Sequence, residues 1–159
     1  MSHNVTVKNV NISSLSVIDR AVKELQNKGA KVSISAAPGR FRGYADQMSP
    51  CERAITIQGS RYEIGVVKTK EGFTLSYDQS MCASSPEFMN SVGGGVGATG
   101  VDGKPIVGGY QNPTFAIGSL IQLCNVISAE DQAGIEGHLC SRSYDTKTKQ
   151  YVLEIEEAA

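Results

Sequence analysis

The sequence predicts an α+β fold: a two-layer sandwich of one antiparallel sheet with two helices on one face and a glycine-rich insertion. Three observations carry this. Two stretches repeat apolar residues at helical spacing. Several short segments alternate apolar and polar residues between turn signals. Eight of the seventeen residues from Gly93 to Gly109 are glycine. At 159 residues the chain makes a single domain, 1–159, with 91–111 as the insertion.

The elements follow in order. Val5 to Val10 alternates, as a half-buried strand does. Leu15, Ile18, Val22 and Leu25 then form one stripe of an amphipathic helix, with Ser13 or Ser14 as N-cap and Gly29 as stop. Lys31 to Ser35 reads as a returning strand and Arg40 to Tyr44 as a short edge segment; Ser49-Pro50 marks a turn. Ala54–Ile57 and Tyr62–Val67 read as strands joined tightly at Gly59-Ser60, and Glu71-Gly72 turns into a third, Phe73–Tyr77. Residues 79–90 are ambiguous in pattern, and Pro86-Glu87-Phe88-Met89 could open a short helix. Thr114 to about Gly134 is helical, with Ile117, Leu120, Ile121 and Cys124 on one face and Ile127 and Ile135 extending it. Leu139–Tyr144 and Gln150–Ile155 form a terminal hairpin over 145–149.

Composition narrows the function classes. Apolar residues make up 40% and charged residues 19%, which is globular composition. A net charge of −1 argues against general nucleic-acid binding, and the lack of Trp with 6% aromatics argues against a base-stacking platform. No run of 18 apolar residues exists for a membrane span. The opening Met1-Ser2-His3-Asn4 has neither a basic n-region nor an apolar h-region, so a cytoplasmic setting is expected. Cys51, Cys82, Cys124 and Cys140 show no metal or redox spacing; they are expected to be free, small, buried hydrophobes. Cys124, His138 and Cys140 lack an evident fourth ligand, so no metal and no cofactor is expected.

Motifs of catalysis fare poorly. Gly95-Val96-Gly97-Ala98-Thr99-Gly100 matches the dinucleotide fingerprint in letters, but Asn90-Ser91 precedes it and Pro105 blocks the helix that should receive the pyrophosphate. His3 and His138 are the only histidines, and Glu130-Asp131 reads as a solvated helix pair. No catalytic residue is assigned.

Charge placement says more. Residues 19–70 carry ten Lys or Arg against five Asp or Glu, a net of +5. Residues 71–159 carry four against eleven, a net of −7. One reading pairs the two halves inside the fold. Another clusters Arg40, Arg42, Arg53 and Arg61 on neighbouring strands for an anion or an acidic partner. The candidate ligand residues are Arg40, Arg42, Tyr44 and Arg61.

Several blocks resemble a known family. Met1-Ser2-His3 ahead of a strand and a helix ending in Leu25 and Gly29 is one. Arg42-Gly43-Tyr44 with Gln47, Tyr62-Glu63-Ile64-Gly65, and the Leu120 to Gly134 helix before a charged hairpin are the others. In this order they resemble the hypothetical chloroplast reading frame thirty-five family, found in plastids, cyanobacteria, bacteria and phages. The resemblance implies a fold and a non-secreted setting: cytoplasm, plastid stroma, or the host cytoplasm of a phage. It implies no reaction. The 91–111 segment departs from the family pattern.

The expected function is a non-enzymatic binding or accessory module acting through protein partners or self-association. Val96, Val101, Ile106, Val107 and Tyr110 of the insertion are its expected contacts. The alternative is a binder of a small anionic ligand, with the glycine-rich segment as lid.

Overall fold

The computed structural model describes residues 4–6, 12–78, 81–82, 84–93, 115–145, 147 and 150–157. The fold is α+β. Strands β1 (Asn4–Thr6), β2 (Val32–Ile34), β5 (Arg53–Ile57), β6 (Glu63–Thr69) and β7 (Gly72–Asp78) form an antiparallel sheet of order β1-β7-β6-β5-β2. Helices α1 (Leu15–Asn27) and α3 (Gly118–Ile135) pack against each other, with a short α2 (Pro86–Val92) beside them. Two further hairpins stand apart from the sheet: β3 (Gly39–Arg42) with β4 (Met48–Cys51), and β8 (Leu139–Asp145) with β9 (Gln150–Glu156). The single sheet expected from sequence is therefore one five-stranded sheet and two hairpins.

Period decides the core. α1 buries Val17, Ile18, Ala21, Val22 and Leu25, one stripe at spacings of one, three and four. It ends at Gly29, whose φ of +94° suits the residue that terminates a helix. The register pairs Ile55 with Ile64 and Val66 with Leu75, which puts these four side chains on one sheet face. They join the α1 stripe and Leu120, Leu123, Cys124 and Ile127 of α3 in one buried cluster. Ile135 does not continue the α3 stripe. It lies in the last turn and is 80% exposed.

Three local expectations are corrected. Ser49-Pro50 lies inside β4. The Gly43 amide donates to the Gln47 carbonyl, so alternation makes Phe41–Ser49 the next hydrogen-bonded pair. Pro50 then faces Arg40 in a non-bonded pair, where its missing N–H costs nothing. The β5–β6 connection is five residues, 58–62, and not a two-residue turn. The Ser60 hydroxyl takes up the extra length: it donates to the Tyr62 carbonyl at 3.1 Å and accepts from the Tyr62 amide at 3.2 Å. Cys140 is exposed, while Cys51, Cys82 and Cys124 are buried as expected.

The tight turn falls between β6 and β7, where Thr69 pairs with Gly72 around Lys70-Glu71. Gly72 has φ +149°, and a Cβ there would lie 2.4 Å from the Ile12 carbonyl oxygen. That oxygen accepts from the Phe73 amide at 2.9 Å and holds the buried Ile12 on the sheet edge. Backbone cannot yield as a side-chain tip can. Gly72→Ala is expected to destabilise the protein by about 2–3 kcal/mol in urea unfolding. An unchanged midpoint would contradict this packing.

Candidate protein-interaction surfaces

The β3–β4 hairpin is fastened to the sheet face opposite the helices. Phe41 is buried, and its ring lies on the bare backbone of Gly65. A Cβ on Gly65 would come within 2.2 Å of the Phe41 ring. The Arg42 amide donates to Glu63 Oε1 at 2.7 Å, and the same carboxylate accepts from Thr56 Oγ1 at 2.9 Å. At the hairpin tip Ala45 and Asp46 both have positive φ. Asp46 accepts two hydrogen bonds from Arg61, which ties the tip to the β5–β6 loop.

Alternation then fixes what this hairpin shows. Phe41 and Ser49 point inward, so Arg40, Arg42, Met48 and Pro50 share the outward face, and all four are exposed. Arg40 and Arg42 thus stand together as expected. Tyr44 is 37% exposed near the tip, and Arg61 is neutralised by Asp46. Arg53 is apart from the cluster: it lies on β5, partly buried, and donates to the Glu52 carbonyl.

The β8–β9 hairpin lies on the helix side. Arg142 is its latch: it donates to Glu24 on α1 at 2.7 Å and clasps Glu130 on α3 with two hydrogen bonds. Glu130 first, then Glu24, hold the Arg142 guanidinium above its ordinary pKa, against the effect of burial. Lys28 Nζ stands 4.4 Å from the Tyr151 ring centre and 5.3 Å from that of Tyr144, two rings 5.0 Å apart. Burial pulls the Lys28 ammonium below its usual value. Nearby, Arg20 on α1 binds Asp131 on α3 through both carboxylate oxygens and holds that carboxyl below the usual range. A carboxylate so depressed stabilises the fold above its unfolded-state pKa. Its contribution is lost as pH falls through the folded-state value, so this pair fades only in acid.

With Arg142, Tyr151 and Leu153 turned inward, the opposite face carries Leu139, Ser141, Ser143, Val152, Glu154 and Glu156. Leu139 is 69% and Val152 44% exposed. The sequence reading missed this face. Its signal was present in the alternation Val152-x-Glu154-x-Glu156, but the side turned to solvent depends on where Arg142 finds its partners.

Among the described residues, two cavities lie near these surfaces. One of about 250 Å³ lies between α1, α3 and Arg142; of its charged lining, Glu24 and Glu130 are paired with Arg142 and Arg20 with Asp131, and Lys23 completes it. The other, about 490 Å³, runs along β2 past Lys31, Ser33, Thr56 and Gln58. Neither is lined by Arg40, Arg42, Tyr44 or Arg61. Val96, Val101, Ile106, Val107 and Tyr110, with the whole fingerprint-like glycine stretch, lie outside the described residues.

His138 is half-buried with Nε2 3.3 Å from Glu136. Among the described residues no three His, Cys, Asp or Glu side chains converge as metal ligands, and no helix is long and apolar enough to cross a membrane. Burial pushes the Cys124 thiol up to about 12, and it raises Cys82 and Cys51 as well. Only the thiolate reacts, so at about pH 8 one thiol per chain, Cys140, is expected to react quickly with a disulfide reagent. The other three should react only on unfolding, and Cys140→Ser should remove the fast phase. A fast reaction of two or more thiols would contradict the burial.

Comparison with protein-family models, with curated proteins and with solved structures gives no match in any of the three.

Proposed function

We propose that this protein is a non-enzymatic binding module that acts through polypeptide partners. The observation that carries the reading is the pair of hairpin faces. Each presents exposed apolar side chains beside charges of a single sign, Met48 and Pro50 with Arg40 and Arg42, Leu139 and Val152 with Glu154 and Glu156. Exposed large apolar groups grouped with one sign of charge are what a specific polypeptide contact uses: the apolar area supplies affinity, the charges orientation. The anionic-ligand reading of Arg40, Arg42, Tyr44 and Arg61 has less support, because Asp46 already occupies Arg61. The blocks that resemble the plastid reading-frame family add no reaction to this account.

The test compares wild type with two surface variants, Arg40→Glu/Arg42→Glu and Glu154→Lys/Glu156→Lys. Each is immobilised and exposed to extract of its own host, with thermal unfolding as the fold control. Polypeptides retained by wild type and lost with one variant, at unchanged melting temperature, are the expected result. Identical retention by all three proteins would overturn the reading.

A further inference from the structure

Taking the binding-module reading as its basis, we propose that the partner is a second copy of this chain: the β3–β4 face of one protomer docks on the β8–β9 face of the next, head to tail.

The first support is position. The β3–β4 hairpin sits on the sheet face away from the helices, through Phe41 on Gly65. The β8–β9 hairpin sits on the helices, through Arg142 to Glu24 and Glu130. The two faces therefore cover opposite sides of the core. One chain cannot bring them together, and two chains can.

The second support is matched charge. Arg40 and Arg42 are two residues apart on one strand and point the same way; so are Glu154 and Glu156. Both doublets repeat at about 6.6–6.8 Å, the two-residue period of a strand. Two guanidinium groups at that spacing meet two carboxylates at the same spacing without adjustment of either backbone. Among the described residues, no hydrogen bond or ion pair within the chain engages these four side chains. The sign is unmixed where it matters: the basic face has no carboxylate between its arginines, and the acidic face has no cation between its glutamates.

The third support is the apolar neighbour of each doublet. Met48 and Pro50 stand across the strand pair from Arg42 and Arg40. Leu139 stands across from Glu156, and Val152 lies two residues before Glu154. Like surfaces facing each other across a twofold axis would oppose arginine to arginine. The head-to-tail arrangement opposes each arginine to a glutamate and apolar groups to apolar groups. Such a contact is heterologous, so it leaves one free face at each end and grows into a ring or a filament.

Sedimentation velocity across micromolar to near-millimolar protein tests this. Wild type should form concentration-dependent multimers at low salt that dissociate in molar salt, because these charges are exposed to screening. Arg40→Glu/Arg42→Glu and Glu154→Lys/Glu156→Lys should each weaken association by about tenfold or more. The chain carrying all four substitutions should regain it, and so should an equimolar mixture of the two doubly substituted proteins. A wild type that stays monomeric throughout would overturn the proposal, as would variants that associate like wild type, or a four-site chain that stays monomeric. If the chain is monomeric yet a host polypeptide still depends on either hairpin face, the binding-module reading stands and self-docking falls.

Discussion

Phe41→Ala is expected to cost about 3–5 kcal/mol of stability, the range for truncating a buried aromatic side chain. Phe41 is the largest buried side chain of the β3–β4 hairpin, and its ring fills the space that glycine leaves at position 65. Its loss leaves a void between hairpin and sheet, with Glu63 and the Arg61–Asp46 pair as remaining fastenings. Amide exchange should therefore quicken over residues 39–51 ahead of the rest of the chain. Gly65→Ala attacks the same contact from the other side. Overpacking costs about 1–3 kcal/mol, because the new methyl group collides with the ring. The two changes should not add. In the double variant the alanine Cβ enters the space the ring has left, so the combined loss in denaturant unfolding should fall short of the sum. Simple additivity would show that ring and glycine do not share a site.

Arg142→Ala is expected to cost about 3 kcal/mol, the lower end for breaking a buried ion pair, since the site keeps some solvent contact. The Arg142 side chain is 22% exposed, and its guanidinium satisfies two carboxylates from two helices. Without it Glu24 and Glu130 face each other with no cation between them. Arg142→Lys should recover only part of the loss, because an ammonium cannot clasp Glu130 with two parallel bonds while reaching Glu24. Arg142→Met tests packing against charge: it keeps the stem and removes the cation. Equal losses in the Met and Ala variants would assign the effect to charge. A Met variant close to wild type would assign it to packing over Tyr151, 5.5 Å from the guanidinium carbon. In either case residues 139–156 should lose protection first.

Much of the fold was legible in the sequence because burial imposes a period. The α1 stripe, the β5–β6–β7 meander and the α3 face each follow from which residues are apolar and how far apart. What alternation cannot say is what covers a buried face. Phe41 and Arg142 each fall within a segment that reads as a strand, yet the inward side is set by what each meets: Phe41 lies on a glycine of the sheet and Arg142 on two carboxylates of the helices. Pro50 misled because proline excludes a strand only where the ladder needs its N–H, and that depends on register. The division of the chain into a basic and an acidic half accounts for little of the internal pairing: among the described residues Arg20 with Asp131 joins a cation of the first half to an anion of the second, whereas Arg61–Asp46 and Arg142–Glu130 each lie within one half and Arg142–Glu24 joins the halves with the signs reversed. The partners themselves, such as Arg20 and Asp131, 111 residues apart, are set by how the helices pack. Arg40 and Arg42 were visible as a cluster. Their counterpart at Glu154 and Glu156 was not, because its exposure depends on the latch beneath it.

The claim that this protein works through polypeptide contacts is tested most directly by native mass spectrometry of the protein as purified from its own host. The account predicts species above 16.9 kDa by whole polypeptide masses, either multiples of the chain or the chain with a second protein, and their loss in Arg40→Glu/Arg42→Glu or Glu154→Lys/Glu156→Lys. A monomer carrying only a small molecule, unchanged by either variant, would contradict it.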